Sequence, residues 1–161
     1  MKLVAGHSDT VNAWIAKVHG AHILHQPSET FGVIDDEGVL RGALVTWFKT
    51  DATAEVSVFG ELSNDVLKTY FQWVFGHIHR LEVRTNRRNK AVKKAAPKYG
   101  FAYQGPDRDY YGPGDDALVF YMTPDKCRWI DHGLDVRLVR QETSSDECRS
   151  RRQTTAAAEH I

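Results

Sequence analysis

The stretch "RTNRRNKAVKKAAPKYGF", Arg84 to Phe101, decides how the rest of the chain is read. It carries Arg84, Arg87, Arg88, Lys90, Lys93, Lys94 and Lys98, and no acid. Asn89 is a good helix cap, so a short basic helix is expected from Asn89 to about Ala96. Pro97 should kink that helix or end it early, because its ring removes a backbone donor. Upstream, His79 to Thr85 reads as a strand. Downstream, Ala102 to Gln104 and Ala117 to Met122 read as strands joined by a loop rich in Asp, Tyr, Gly and Pro. A basic helix of this kind either contacts nucleic acid or holds a phosphate on something smaller.

Further upstream, Val66, Leu67, Tyr70, Phe71, Val74 and Phe75 recur at helical spacing, with Ser63 as cap and Gly76 as stop. Ala54 to Phe59 alternates as a strand. Phe31 to Ile34 and Val39 to Phe48 flank the acidic, glycine-containing turn Asp35 to Gly38, a hairpin signature. Near the N-terminus a helix is expected to be capped by Ser8, Asp9 or Thr10 and to end at Gly20. Val11, Trp14, Ile15 and Val18 form its apolar face. Residues 21–31 show no clear period. Strand, helix, strand and helix in succession after residue 54 imply a parallel pairing across a crossover. Together with the hairpin, this predicts an α/β fold: a mixed sheet with helices on its faces.

The length of 161 residues suits one domain, expected over 1–141. Residues 142–161 hold almost no large apolar side chain and are expected to be a disordered tail. Lys plus Arg and Asp plus Glu number 21 each, so the net charge is zero. A dedicated nucleic-acid-binding domain shows a basic excess, which this chain lacks overall. Cys127 and Cys148 do not make a disulfide framework. No apolar run reaches membrane-spanning length, and the N-terminus lacks the apolar core of a signal peptide, so a reducing cytoplasm is expected. His19, His22 and His25 straddle Gly20, and neither they nor His77 and His79 are joined by a cluster of acids or cysteines; no metal site is expected. No Gly-x-Ser-x-Gly or Cys/His arrangement points to a covalent nucleophile.

His79 to Gly105 resembles the strand–helix–strand core of the GNAT acyltransferase superfamily. The pattern runs from an Arg-apolar-x-apolar-x-apolar strand, through an Asn that opens a helix, to an apolar-Gly-Phe ending. Arg80, Leu81, Val83, Thr85, Asn89, Tyr99, Gly100 and Phe101 occupy those places. The hairpin at 35–38 matches the family's second and third strands. Gly114 to Trp129 is similar to the last strand of acyltransferase-like proteins carried by bacteriophages and prophages, and of the ribosomal-protein N-terminal acetyltransferase branch. The similarity covers about residues 31–129. It implies transfer of an acetyl group from acetyl-CoA to a primary amine by direct attack. It also implies a gap between the strands at 54–59 and 79–85 for the pantetheine arm. Two places depart from the family. The glycine-rich pyrophosphate turn is replaced by "FGELSND", Phe59 to Asp65, and the tyrosine used by many members as thiolate acid is Ala96.

The resemblance implies a base on the first of those strands, where Glu55 and Ser57 share a face. A carboxylate beside an apolar cleft is tuned towards base work; its plain alternative is an exposed edge glutamate. Tyr111, or Tyr110, could stand in for the missing acid, against ordinary packing for Tyr103, Tyr110 and Tyr111. Glu82, next to Arg84 on its face, is expected to form an ion pair. The cofactor-binding candidates are the Val56 and Val58 backbone, the N–H groups near Ser63 and Asn64, Asn89 and Lys93. The remaining cations, Arg87, Arg88, Lys90 and Lys94, fit a solvated helix face. The acceptor stays open among a protein N-terminus, a lysine, a small metabolite and a modified base. Two further readings stand beside transfer: an acyltransferase fold that binds without catalysis, and a phage-type protein acting on nucleic acid through the basic run and stacking tyrosines.

Overall fold

The computed structural model describes residues 1–21, 23 and 28–130. The elements run β1 (Lys2–Val4), α1 (Ser8–His19), β2 (Ser28–Ile34), β3 (Leu40–Phe48), β4 (Thr53–Gly60), α2 (Asn64–Phe75), β5 (Arg80–Asn86), α3 (Lys90–Tyr99), β6 (Ala102–Gly112) and β7 (Asp115–Met122). A short 3-10 turn, Pro124–Lys126, follows. The strands form one mixed sheet of seven, ordered β1-β2-β3-β4-β5-β7-β6. Every neighbouring pair is antiparallel except β4 and β5. The expected mixed α/β sheet is therefore present.

The main core lies between one face of the sheet and α2. Val66, Leu67, Tyr70, Phe71 and Val74 of α2 pack with Val33, Leu44, Ala54, Val56 and Leu81. The other face is covered by α1, whose Val11 and Ile15 pack on Ala43 and Val45. The alternation of β4 assigns its side chains to these two layers. Ala54 and Val56 are buried under α2, while Phe59 packs in the α1 cluster.

Several local expectations need correction. The cap of α1 is His7, which makes no side-chain cap bond, and Val18 is exposed rather than part of the apolar face. Pro97 does not end α3, which continues to Tyr99. It sits in the last turn, where only the bond back to the Lys93 carbonyl is lost and little helix remains to be disturbed, and Gly100 closes the end with φ +101° and an N–H bonded to Ala96 and Pro97 carbonyls. The loop expected between Gln104 and Ala117 is instead a long hairpin. β6 continues to Gly112 through register shifts after Tyr103 and Asp107. As the edge strand it tolerates Pro106, whose missing N–H breaks no ladder on its open side. β1 also escaped the sequence reading. The predicted tail at 142–161, and His22 and His25, lie outside the described residues.

Candidate active site

The site begins where the sheet forks. β4 and β5 pair over only three positions: Thr53 with Arg80, Ala54 with Leu81, and Glu55 with Glu82. Beyond Glu55 the strands part, although β4 stays paired with β3 up to Gly60. The backbone groups of Val56 to Phe59 that point away from β3 therefore face a gap. A cavity of about 380 Å³ opens there, within the usual range of small-molecule sites, about 300–1,000 Å³. Val56 and Val58 form one wall, Val83 and Thr85 the other, and Ala95 and Tyr99 of α3 close it.

At the crotch of the fork sits a charged cluster. Glu55 Oε2 lies 2.6 Å from both Lys49 Nζ and Arg84 Nη1. Glu82 takes Arg80 Nε at 2.9 Å and Lys49 Nζ at 3.3 Å. Burial pushes the Glu82 carboxyl up, but hydrogen bonds from Arg80 and Lys49 outweigh it and hold the pKa below the ordinary value. Arg84 reaches further. Its Nε lies 3.2 Å from Asp107 Oδ2, close enough for an ion pair but not aligned as a hydrogen bond, and its guanidinium stands 4.7 Å from the Tyr110 ring centre. Both cations meet the same carboxylate oxygen of Glu55.

Solved structures that resemble this chain include acetyltransferases. A variant of a spermidine N-acetyltransferase from Vibrio cholerae superposes with TM-score 0.61 at 13% identity, covering 81% of this chain and 98% of its own. The ribosomal-protein-S5-alanine acetyltransferase from Vibrio fischeri gives 0.52 at 16%, covering 77% and 72%. A GNAT-family acetyltransferase from Bacillus anthracis gives 0.52 at 15%, covering 60% and 66%. The chain has the GNAT acetyltransferase fold. No protein-family model and no curated protein matches the sequence, so the likeness lies in the fold.

Within this GNAT fold the sequence-predicted residues fall into three groups. Val56, Ser57, Val58 and Asn89 line the cavity. Glu55 sits at the crotch and Tyr111 on the hairpin at its side, edge-on to Tyr110 with ring centres 4.9 Å apart. Burial, then the neighbouring Tyr110 and Glu55, raise the Tyr111 pKa more than Arg84 lowers it. Ser63, Asn64 and Lys93 stand away from the cavity lining. Ser63 caps α2, its Oγ accepting from the Val66 N–H at 3.4 Å, and Asn64 is the exposed first residue of that helix. Lys93 Nζ donates to the Arg87 carbonyl at 3.4 Å. The only glycine of the departed phosphate turn, Gly60, is held at φ +71° where a Cβ would come within 2.3 Å of the Arg41 carbonyl. The Glu61 N–H is also taken by that carbonyl. His19 packs between Trp14 and Phe59, and His77 Nδ1 bonds the Trp73 carbonyl. Sequence reasoning missed Lys49 and the reach of Arg84. The only signal for either was an unexplained charge near a predicted strand.

Proposed function

We propose that the chain is an N-acyltransferase that moves an acetyl group from acetyl-CoA to a primary amine. The observation that carries this reading is the fork: a cavity bounded by unpaired backbone exactly where β4 leaves β5 would accept an amide-bearing arm as a substitute strand. Acetyl-CoA supplies the acetyl group already activated as a thioester. The backbone of Val56 to Val58 holds the arm, and Asn89 borders it at the start of α3. The Glu61 N–H is taken by the Arg41 carbonyl, which leaves the phosphates to the N–H groups near Ser63 and Asn64 and to the cations around α3, Lys93 among them. Glu55, fixed through Oε2, takes the amine proton at Oε1, and Ser57 lies on the same face. Tyr111, kept protonated through neutral pH, holds a proton at its hydroxyl on the hairpin side. Alignment of amine and acyl carbon provides most of the rate. The acceptor is an amine-bearing molecule, a class that includes the substrates named for the spermidine and ribosomal-protein enzymes of this fold. A reducing cytoplasm suits the reaction.

A second reading is favoured by one feature: the carboxylate meant to act as base already makes two short ion pairs. In that case the fold binds an acyl-CoA without transferring. Thermal unfolding with acetyl-CoA, followed by thiol release over a panel of amines, separates the two. At about 100 times its dissociation constant a ligand adds about 2.7 kcal/mol to stability, a rise of a few degrees. A rise with thiol release that collapses in Glu55→Gln supports transfer. A rise without release supports binding alone, and no rise removes the cofactor reading.

A further inference from the structure

Resting on the transfer reading of the fork, we propose that Arg84 is a positioning residue that couples the Glu55 carboxylate to the β6–β7 hairpin. The hairpin that carries Tyr111 and the base would thereby move as one unit. Arg84 lies on β5 two residues past Glu82, the last position paired with β4. It is thus the first β5 side chain on its face after the strands part. Its guanidinium spans the opening: to Glu55 on β4 at 2.6 Å, to Asp107 on β6 at 3.2 Å, and over the ring of Tyr110 on β6 at 4.7 Å. It is 14% exposed and borders the cavity.

The hairpin's own ties, Arg108 to Asp116 at 2.8 Å and the Asp109 and Gly114 N–H groups to the Asp116 and Asp109 carboxylates, lie near its tip and do not reach Glu55. β6 pairs irregularly with β7, with a shift between Asp107 and Gly112, and Asp109 within it has φ +55°. Exposed tyrosines give it little core: Tyr103, Tyr110 and Tyr111 are each about half exposed. The Arg84 contacts to Asp107 and Tyr110 fix the strand just before Tyr111, whose ring meets Tyr110 edge to face. Lysine does not reproduce this arrangement, since its ammonium lacks the planar fork that lies over a ring face while reaching carboxylates on two strands.

The test uses the full chain with Arg84→Lys, Arg84→Gln and Asp107→Asn, read by hydrogen exchange and by steady-state kinetics. Exchange needs no substrate. Amides from Asp107 to Asp115 are expected to exchange at least about tenfold faster in Arg84→Gln, and part of that in Asp107→Asn, with the α2 amides unchanged. In kinetics, Arg84→Lys should lower kcat by about 10- to 100-fold with KM for acetyl-CoA little altered. Asp107→Asn should lose less, and the double variant should lose no more than Arg84→Lys alone. Unchanged hairpin exchange in Arg84→Gln, or additive losses in the double variant, would overturn the coupling. If the wild type binds acetyl-CoA but releases no thiol with any amine, the transfer reading falls, and the exchange result still decides the role of Arg84.

Discussion

The helices α2 and α3 solve the same local problem and do opposite work. Each opens on a side-chain cap, Ser63 accepting from Val66 and Asn89 accepting from Val92. From there they diverge. α2 buries five large side chains against the sheet, and the residues around its start include Glu61 and Asp65. α3 buries only Ala96, and its start is surrounded by Arg87, Arg88 and Lys90. The first helix is held by the core; the second stands as the wall of a cavity, with Ala91, Val92 and Ala95 facing it. Small side chains on that wall keep the space open. The lesson is that a helix can belong to a fold for its packing or for the void it leaves.

The contrast can be broken most forcefully in the core. Phe71→Ala should cost about 3–5 kcal/mol, because Phe71 is buried and touches Tyr70, Phe75, Phe101 and Trp129. Lys94→Ala on the exposed side of α3 should stay within about 0.5 kcal/mol by the same urea titration. Next, Ala95→Leu should erase the acetyl-CoA stabilisation of about 2.7 kcal/mol while shifting the ligand-free midpoint little. A ligand response equal to wild type would mean that α3 does not wall the cofactor site. Smaller again are the caps: Ser63→Ala and Asn89→Ala should each cost about 1 kcal/mol, but only Asn89→Ala should also weaken acetyl-CoA binding in calorimetry. The least effect lies on β5, between the two helices in the chain. Glu82 has a depressed folded-state pKa, so its ion pairs contribute at neutral pH and fade as pH falls. Wild type should exceed Glu82→Gln by about 1 kcal/mol or less at pH 7. The gap should start to narrow near about pH 4.3 and close once the pH is below the folded-state value.

Much of this was legible residue by residue. The 3.6 period of Val66 to Phe75 gave α2, and the Asp35–Gly38 turn gave the β2–β3 hairpin, because both are local. The fork came only through resemblance. Nothing in "TAEVSVFG" marks Glu55 as the last residue paired with β5; that depends on how two distant segments diverge. β6 was hidden for another reason. Gly105 and Pro106 sit inside a strand that lies at the sheet edge and tolerates bulges, and the true turn comes only at Pro113 and Gly114. The ion pair expected for Glu82 is there, but the sequence does not show that Lys49, Glu55, Arg80, Arg84 and Asp107 meet in one cluster. Those charges come from β4, β5 and β6 and from the turn before β4.

The three-residue seam between β4 and β5 also sets an order of events during synthesis. β1 to β4 form a four-stranded antiparallel block in which β2, β3 and β4 are joined by short connections, so its loops close cheaply. β6 and β7 form a second such hairpin. Only the seam requires closure across the whole of α2. As the nascent chain leaves the ribosome, residues 2–60 can assemble before β5 has been made. The short ladder that makes the cleft then waits for α2 and β5, and β7 joins β5 after that.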